Sequence, residues 1–82
     1  MLYAKVVSSE SLQQWDTEKI KVLSRDMYHP VDNVSMGQSY TTIFIEGVPG
    51  GFNSSHFKFY KVVGNEFVEH CIYSDPYYNP YL

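Results

Sequence analysis

Two runs of β-forming residues, separated by a stretch that can only turn, constrain this chain most. Ser39-Tyr40-Thr41-Thr42-Ile43-Phe44-Ile45-Glu46 and His56-Phe57-Lys58-Phe59-Tyr60-Lys61-Val62-Val63 are both rich in aromatic and β-branched side chains, which pack well on a pleated surface. Between them, Gly47-Val48-Pro49-Gly50-Gly51 presets one turn position with proline and supplies a positive φ at the next with glycine, as a type II turn requires. In the second run Phe57 and Phe59 alternate with Lys58 and Tyr60, so one face is apolar at period two. A chain built around these runs pairs strands.

Further strands are expected on either side. Leu2 to Val7 is short, apolar and partly β-branched. Lys19-Ile20-Lys21-Val22-Leu23-Ser24-Arg25 alternates at period two, with Ile20 and Val22 on one face. Gly64-Asn65 is a two-residue hairpin signal, and Glu66 to Tyr73 follows it as a last strand. The stretch from Ser8 to Asp16 has a serine cap before Leu12 and Trp15, which suits one short helical turn. Asp26 to Gly37, with His29-Pro30 and Asp32-Asn33, reads as a long loop. Residues 74–82 form a tail with Pro76 and Pro80 that cannot be a central strand. The expected fold is all-β, mainly antiparallel. It is a small barrel or strongly bent sheet of about five strands with at most one short helical turn, in a single domain over residues 1–82.

A chain of 82 residues is near the lower limit for folding unaided, and the 17% of aromatic residues gives it large buried area per residue. Only 18% of residues are charged, below the roughly 25% usual for soluble domains, so apolar surface is left for contacts. Nine acids against six bases give a net charge of −3. Lys5, Lys19, Lys21, Lys58, Lys61 and Arg25 are scattered, which argues against a nucleic-acid binder that works by neutralising phosphates. Cys71 is the single cysteine, so no internal disulfide forms and a reducing compartment fits. No signal peptide or membrane-length apolar run is visible, so the cytoplasm is the expected location.

The segment from Ile20 to Phe57 resembles the small Src-homology-3-like barrel proteins common in bacteriophage genomes. Gly37 matches the glycine that turns into their second strand, Tyr40 the tyrosine at its start, and Phe57 the closing aromatic. Gln38 and His56 stand where lysine and arginine are usual, and both departures remove positive charge. The resemblance implies a phage protein that binds and inhibits a host factor, such as a defence complex, in the host cytoplasm. It covers about half the chain.

No reactive constellation is evident. His29, His56 and His70 are far apart, and neither His-x-x-x-His nor Cys-x-x-Cys spacing occurs. His70 and Cys71 would point to opposite faces of a strand. Neither a catalytic role, a metal nor a cofactor is expected. Partner contacts are expected from Tyr28 and His29 in the long loop and from Tyr77, Tyr78 and Tyr81 in the tail. Tyrosine offers rigid area with a polar tip, while the tail also suits folding back as a plug, and the two roles are compatible. Gly50, Gly51, Phe52, Asn53, Ser54 and Ser55 combine backbone donors, hydroxyls and a ring, which suits a nucleotide-like ligand. The sequence therefore points first to a non-enzymatic binder and inhibitor of a host protein, with self-association as an alternative partnership. An oligomeric sponge for a nucleotide-like signal is the second reading.

Overall fold

A computed structural model describes residues 1–7 and 20–82. The helical turn expected around Leu12 and Trp15 lies outside the described residues. The strands are β1 (Leu2–Val6), β2 (His29–Met36), β3 (Thr41–Ile45), β4 (Gly51–Asn53), β5 (Phe57–Val63) and β6 (Glu66–Glu69). Single 3-10 turns at Ser54–His56 and Ile72–Ser74 interrupt them. All pairings are antiparallel, in one sheet of order β4-β3-β2-β1-β5-β6. The expectation of an all-β antiparallel fold is met with six strands. The sheet does not close into a barrel: β4 and β6 remain as its edges.

The sheet bends at β2. Its first residues pair with β1, as Tyr3 with Pro30 and Ala4 with His29, while Val31 to Met36 pair with β3. Asp32 is an extra residue between Val31↔Ile45 and Asn33↔Phe44, a bulge of the kind that turns a strand between two ladders. This bend brings the inner residues of β1 (Leu2, Ala4, Val6) and β3 (Ile43, Ile45) into one core with Phe52, Phe57 and Phe59. The strict alternation of burial along β1 and β3 follows from the pleat. Ile20, Leu23 and Ile72 close the core from outside the sheet.

Three expectations are corrected here. Residues 20–25 of the expected strand Lys19–Arg25 form turns: Leu23 N–H donates to the Ile20 carbonyl at 3.0 Å. The i, i+3 spacing buries Ile20 and Leu23 together and leaves Val22 68% exposed, so it defeats the period-two pattern. The expected loop Asp26–Gly37 contains β2. Pro30 is tolerated because it sits at the start of the strand, and its carbonyl accepts from Glu46 N–H at 3.0 Å. The last strand is also shorter than expected, stopping at Glu69.

The turns follow the sequence signals. Gly50 has φ +83° after Pro49, and Gly64 has φ +65° between Val63 and Glu66. With no positive φ at Asn65, the β5–β6 turn is of type II′. Gly37 and Tyr40 flank the tight β2–β3 turn, where Gly37 N–H donates to the Tyr40 carbonyl at 3.0 Å.

Candidate functional site

The described surface offers three settings, and the expected site residues are divided among them. The first is the outer face of β1, β5 and β6. Pairing of Tyr3 with Tyr60, and of Val62 with Phe67, puts these four side chains on that face. Tyr28 lies beside it, its ring parallel to Phe67 at 3.8 Å and edge-on to Tyr60 at 5.0 Å, while Tyr3 meets Phe67 edge-on at 5.1 Å. Lys5 Nζ stands 5.2 Å from the Tyr28 ring centre. Tyr28 is thus half-buried and committed to packing. His29, next in the chain, donates from Nε2 to the Ser24 carbonyl at 2.8 Å.

Beyond this ring cluster the β5–β6 hairpin projects as a two-stranded ribbon. Val62 and Phe67 on its outer side are 46% and 41% exposed, and Val63 and Val68 are 63% and 45% exposed. An apolar ribbon wetted on both faces is unusual, because strands ordinarily bury at least one face. These four residues were missed at the sequence level. Their only signal was apolar residues on both sides of Gly64-Asn65, a pattern that two-sided burial would share.

The second setting is the tail. Asp75 clamps it: the carboxylate accepts from Tyr77 N–H at 2.9 Å and lies 2.7 Å from His70 Nε2 and 3.4 Å from Lys61 Nζ. The Tyr77 amide, the His70 ring and then Lys61 hold the Asp75 carboxyl below the ordinary carboxylate value. Its backbone carbonyl accepts from Tyr78 and Asn79 N–H. Tyr78 packs on the core, under Lys61 Nζ at 5.8 Å, and burial pushes its phenol above the ordinary value. Tyr77 is 85% exposed. The tail is therefore plug and surface at once, with Tyr78 facing in beside the preceding Ile72 turn and Tyr77 and Tyr81 facing out.

The third setting is an open groove of about 660 Å³ where Asn53, Ser54 and Ser55 face Tyr40, Tyr73 and Tyr81. Ser54 Oγ and Tyr73 Oη share a hydrogen bond of 2.6 Å. Of the expected ligand segment, Phe52 is a core residue and Gly51 lies against the Phe44 ring and Thr42. Gly50 belongs to the preceding turn. Only the second half of the segment reaches the groove. Tyr81 is here, away from Tyr28, so the expected partner residues do not form one patch.

Residues 70 and 71 lie past the end of β6, so the strand argument that separated His70 from Cys71 does not apply to them. The exposed Cys71 thiol is drawn below its ordinary value by the Ser74 hydroxyl and nearby backbone amides. Among the described residues no group of three or more His, Cys, Asp or Glu side chains is placed to hold a metal ion, and no helix is long and apolar enough to cross a membrane.

Over residues 1–82 the sequence matches the family of bacteriophage T4 protein Y07B. The chain belongs to that phage family. No curated protein and no solved structure matches it. Membership accounts for the phage character of the partial resemblance, while the open sheet departs from the barrel it implied.

Proposed function

We propose that this phage-family chain is a non-enzymatic binding protein that modulates or inhibits a host protein in the host cytoplasm, an enzyme or defence complex being the target class. One observation carries the reading. The β5–β6 ribbon exposes Val62, Val63, Phe67 and Val68 together, while the ring cluster at its base fixes where it points. Exposed apolar area held rigid binds at a lower entropic cost than a loose loop. The test places a photo-crosslinking residue at Val63 and, as a control, at Glu46 in the turn after β3. A host protein captured from Val63, competed by excess wild type and absent from the control, is the expected result. Equal labelling from both positions, or adducts that do not compete, would overturn the reading.

The groove beside Asn53, Ser54 and Ser55 supports a second reading, sequestration of a nucleotide-like molecule. Its volume is within the usual range for small-ligand sites, roughly 300–1,000 Å³. No lysine or arginine is among its described lining residues, so those residues would neutralise phosphates poorly. Titration with a nucleotide panel should raise Tm by several degrees if this reading holds; a flat panel retires it.

A further inference from the structure

β6 is the edge of an open sheet, and its register shows which backbone groups face outward. His70 N–H donates to the Phe59 carbonyl at 2.8 Å, which makes Phe59–His70 a hydrogen-bonded pair. Antiparallel ladders alternate, so Tyr60–Glu69 and Val62–Phe67 are the non-hydrogen-bonded pairs. The N–H and C=O groups of Phe67 and Glu69 therefore point away from β5. No strand of the described residues pairs with that side.

The side chains along this edge form a short code. Glu66 and Glu69 bracket Phe67 and Val68, all four exposed. Glutamates at a sheet edge discourage pairing between copies, because a second β6 would bring two further carboxylates to the same edge, and like charges close across a sheet are destabilising. The same arrangement favours a strand with cations at those two positions. Glu69 lies 3.5 Å from Lys58 with both side chains largely exposed, a contact that an incoming cation can share. Glu66 makes no ion pair with a described residue.

We propose that β6 accepts an extended segment of the partner protein as a seventh, antiparallel strand, reading a basic–apolar–apolar–basic pattern opposite Glu66, Phe67, Val68 and Glu69. This rests on the host-protein reading above and specifies its chemistry. Backbone bonds to Phe67 and Glu69 supply the docking, and the four side chains supply the choice of segment. The apolar residue opposite Phe67 lies on the outer face, which Val62 shares, and the one opposite Val68 lies on the inner face, which Val63 shares.

The test is amide exchange by NMR with a capped hexapeptide, Thr-Lys-Ile-Val-Lys-Thr, and its acidic counterpart with Glu in place of both Lys. The basic peptide is expected to slow exchange at the Phe67 and Glu69 amides at least tenfold and to bind about tenfold more tightly than the acidic one, because two charge pairs are reversed. Combining Glu66→Lys with Glu69→Lys should invert that order. Should the double variant fold poorly, Glu66→Gln alone should narrow the gap. The proposal is overturned if neither peptide binds, or if binding leaves those two amides unchanged. Slowing that appears on concentrating the protein alone would assign the edge to a second copy and also overturn it. If the Val63 crosslink to a host protein persists while the peptide test fails, only the strand-addition mode is lost; if the crosslink fails as well, the host-binding reading falls with it.

Discussion

Replacing Tyr28 with alanine tests whether the aromatic cluster belongs to the fold or to a partner. The ring loses three contacts at once. Its parallel stack on Phe67 at 3.8 Å is nearly eclipsed, so we assign the low end of the aromatic-pair range, about 0.5 kcal/mol. The edge-on contact with Tyr60 at 5.0 Å has the preferred geometry and contributes about 1 kcal/mol. The Lys5 ammonium, 5.2 Å from the ring, adds about 0.5 kcal/mol at a site still half open to water. Half-burial of the ring contributes about 1 kcal/mol more in transfer free energy. Together these give a loss of about 3 kcal/mol, equivalent to a fall in Tm of roughly 12–24 °C for a domain of this size. Urea unfolding followed by circular dichroism measures the loss. A double-mutant cycle of Tyr28→Ala with Phe67→Ala should show a coupling near 0.5 kcal/mol. Tyr77→Ala, at a site 85% exposed, is the control and should change stability by less than about 0.5 kcal/mol. If Tyr28→Ala costs under about 1 kcal/mol, the packing argument fails and Tyr28 becomes a docking residue.

Two further outcomes are expected. Phe52→Ala should cost about 3–5 kcal/mol by urea unfolding, because the ring is 1% exposed in the core; a tolerated substitution would restore Phe52 to the ligand segment. The Asp75 carboxyl ionises more readily when folded than when unfolded, so its contribution is present above the ordinary aspartate value near pH ~3.9 and is lost as pH falls through the lower folded value. Asp75→Asn should flatten the acid limb of a Tm-versus-pH curve, and parallel limbs for variant and wild type would refute the clamp.

How much of this was legible in the sequence depended on whether local signals agreed with distant ones. β3 was read from its β-branched and aromatic residues, β5 from alternation, and both hairpin glycines from turn chemistry, because in those places side-chain pattern and backbone demand coincide. β2 was hidden. His29-Pro30 and Asp32-Asn33 are local turn formers, and only pairing with β1 and β3 makes them a strand, with Asp32 accommodated as the bulge residue. The opposite error arose at Ile20 and Leu23, where three-residue spacing decided which side chains turn inward. Phe44 belongs to the strongest run yet is only half-buried, its ring lying over Gly51 on the edge strand. The ribbon was illegible because Val62-Val63 and Phe67-Val68 carry the same pattern whether a second layer covers them or not. Sheet order alone settled that.

The ribbon's two sides have different relations to the fold, and this makes its function separable from its stability. On the outer side Phe67 is held by Tyr28 and Tyr3, so a change there disturbs both packing and contact. On the inner side Val63 and Val68 meet water, so polar substitutions there alter what the hairpin can bind with little effect on whether it forms. The asymmetry also gives the ring cluster a second consequence. A two-stranded ribbon is marginal by itself in water, so its order must come from its base. A loosened Tyr28–Phe67 stack would weaken capture at Val63 while leaving Val63 itself unchanged, through the entropy of ordering the hairpin on binding. Tyr28 thereby acts as a positioning residue for the edge, holding it through the Phe67 ring.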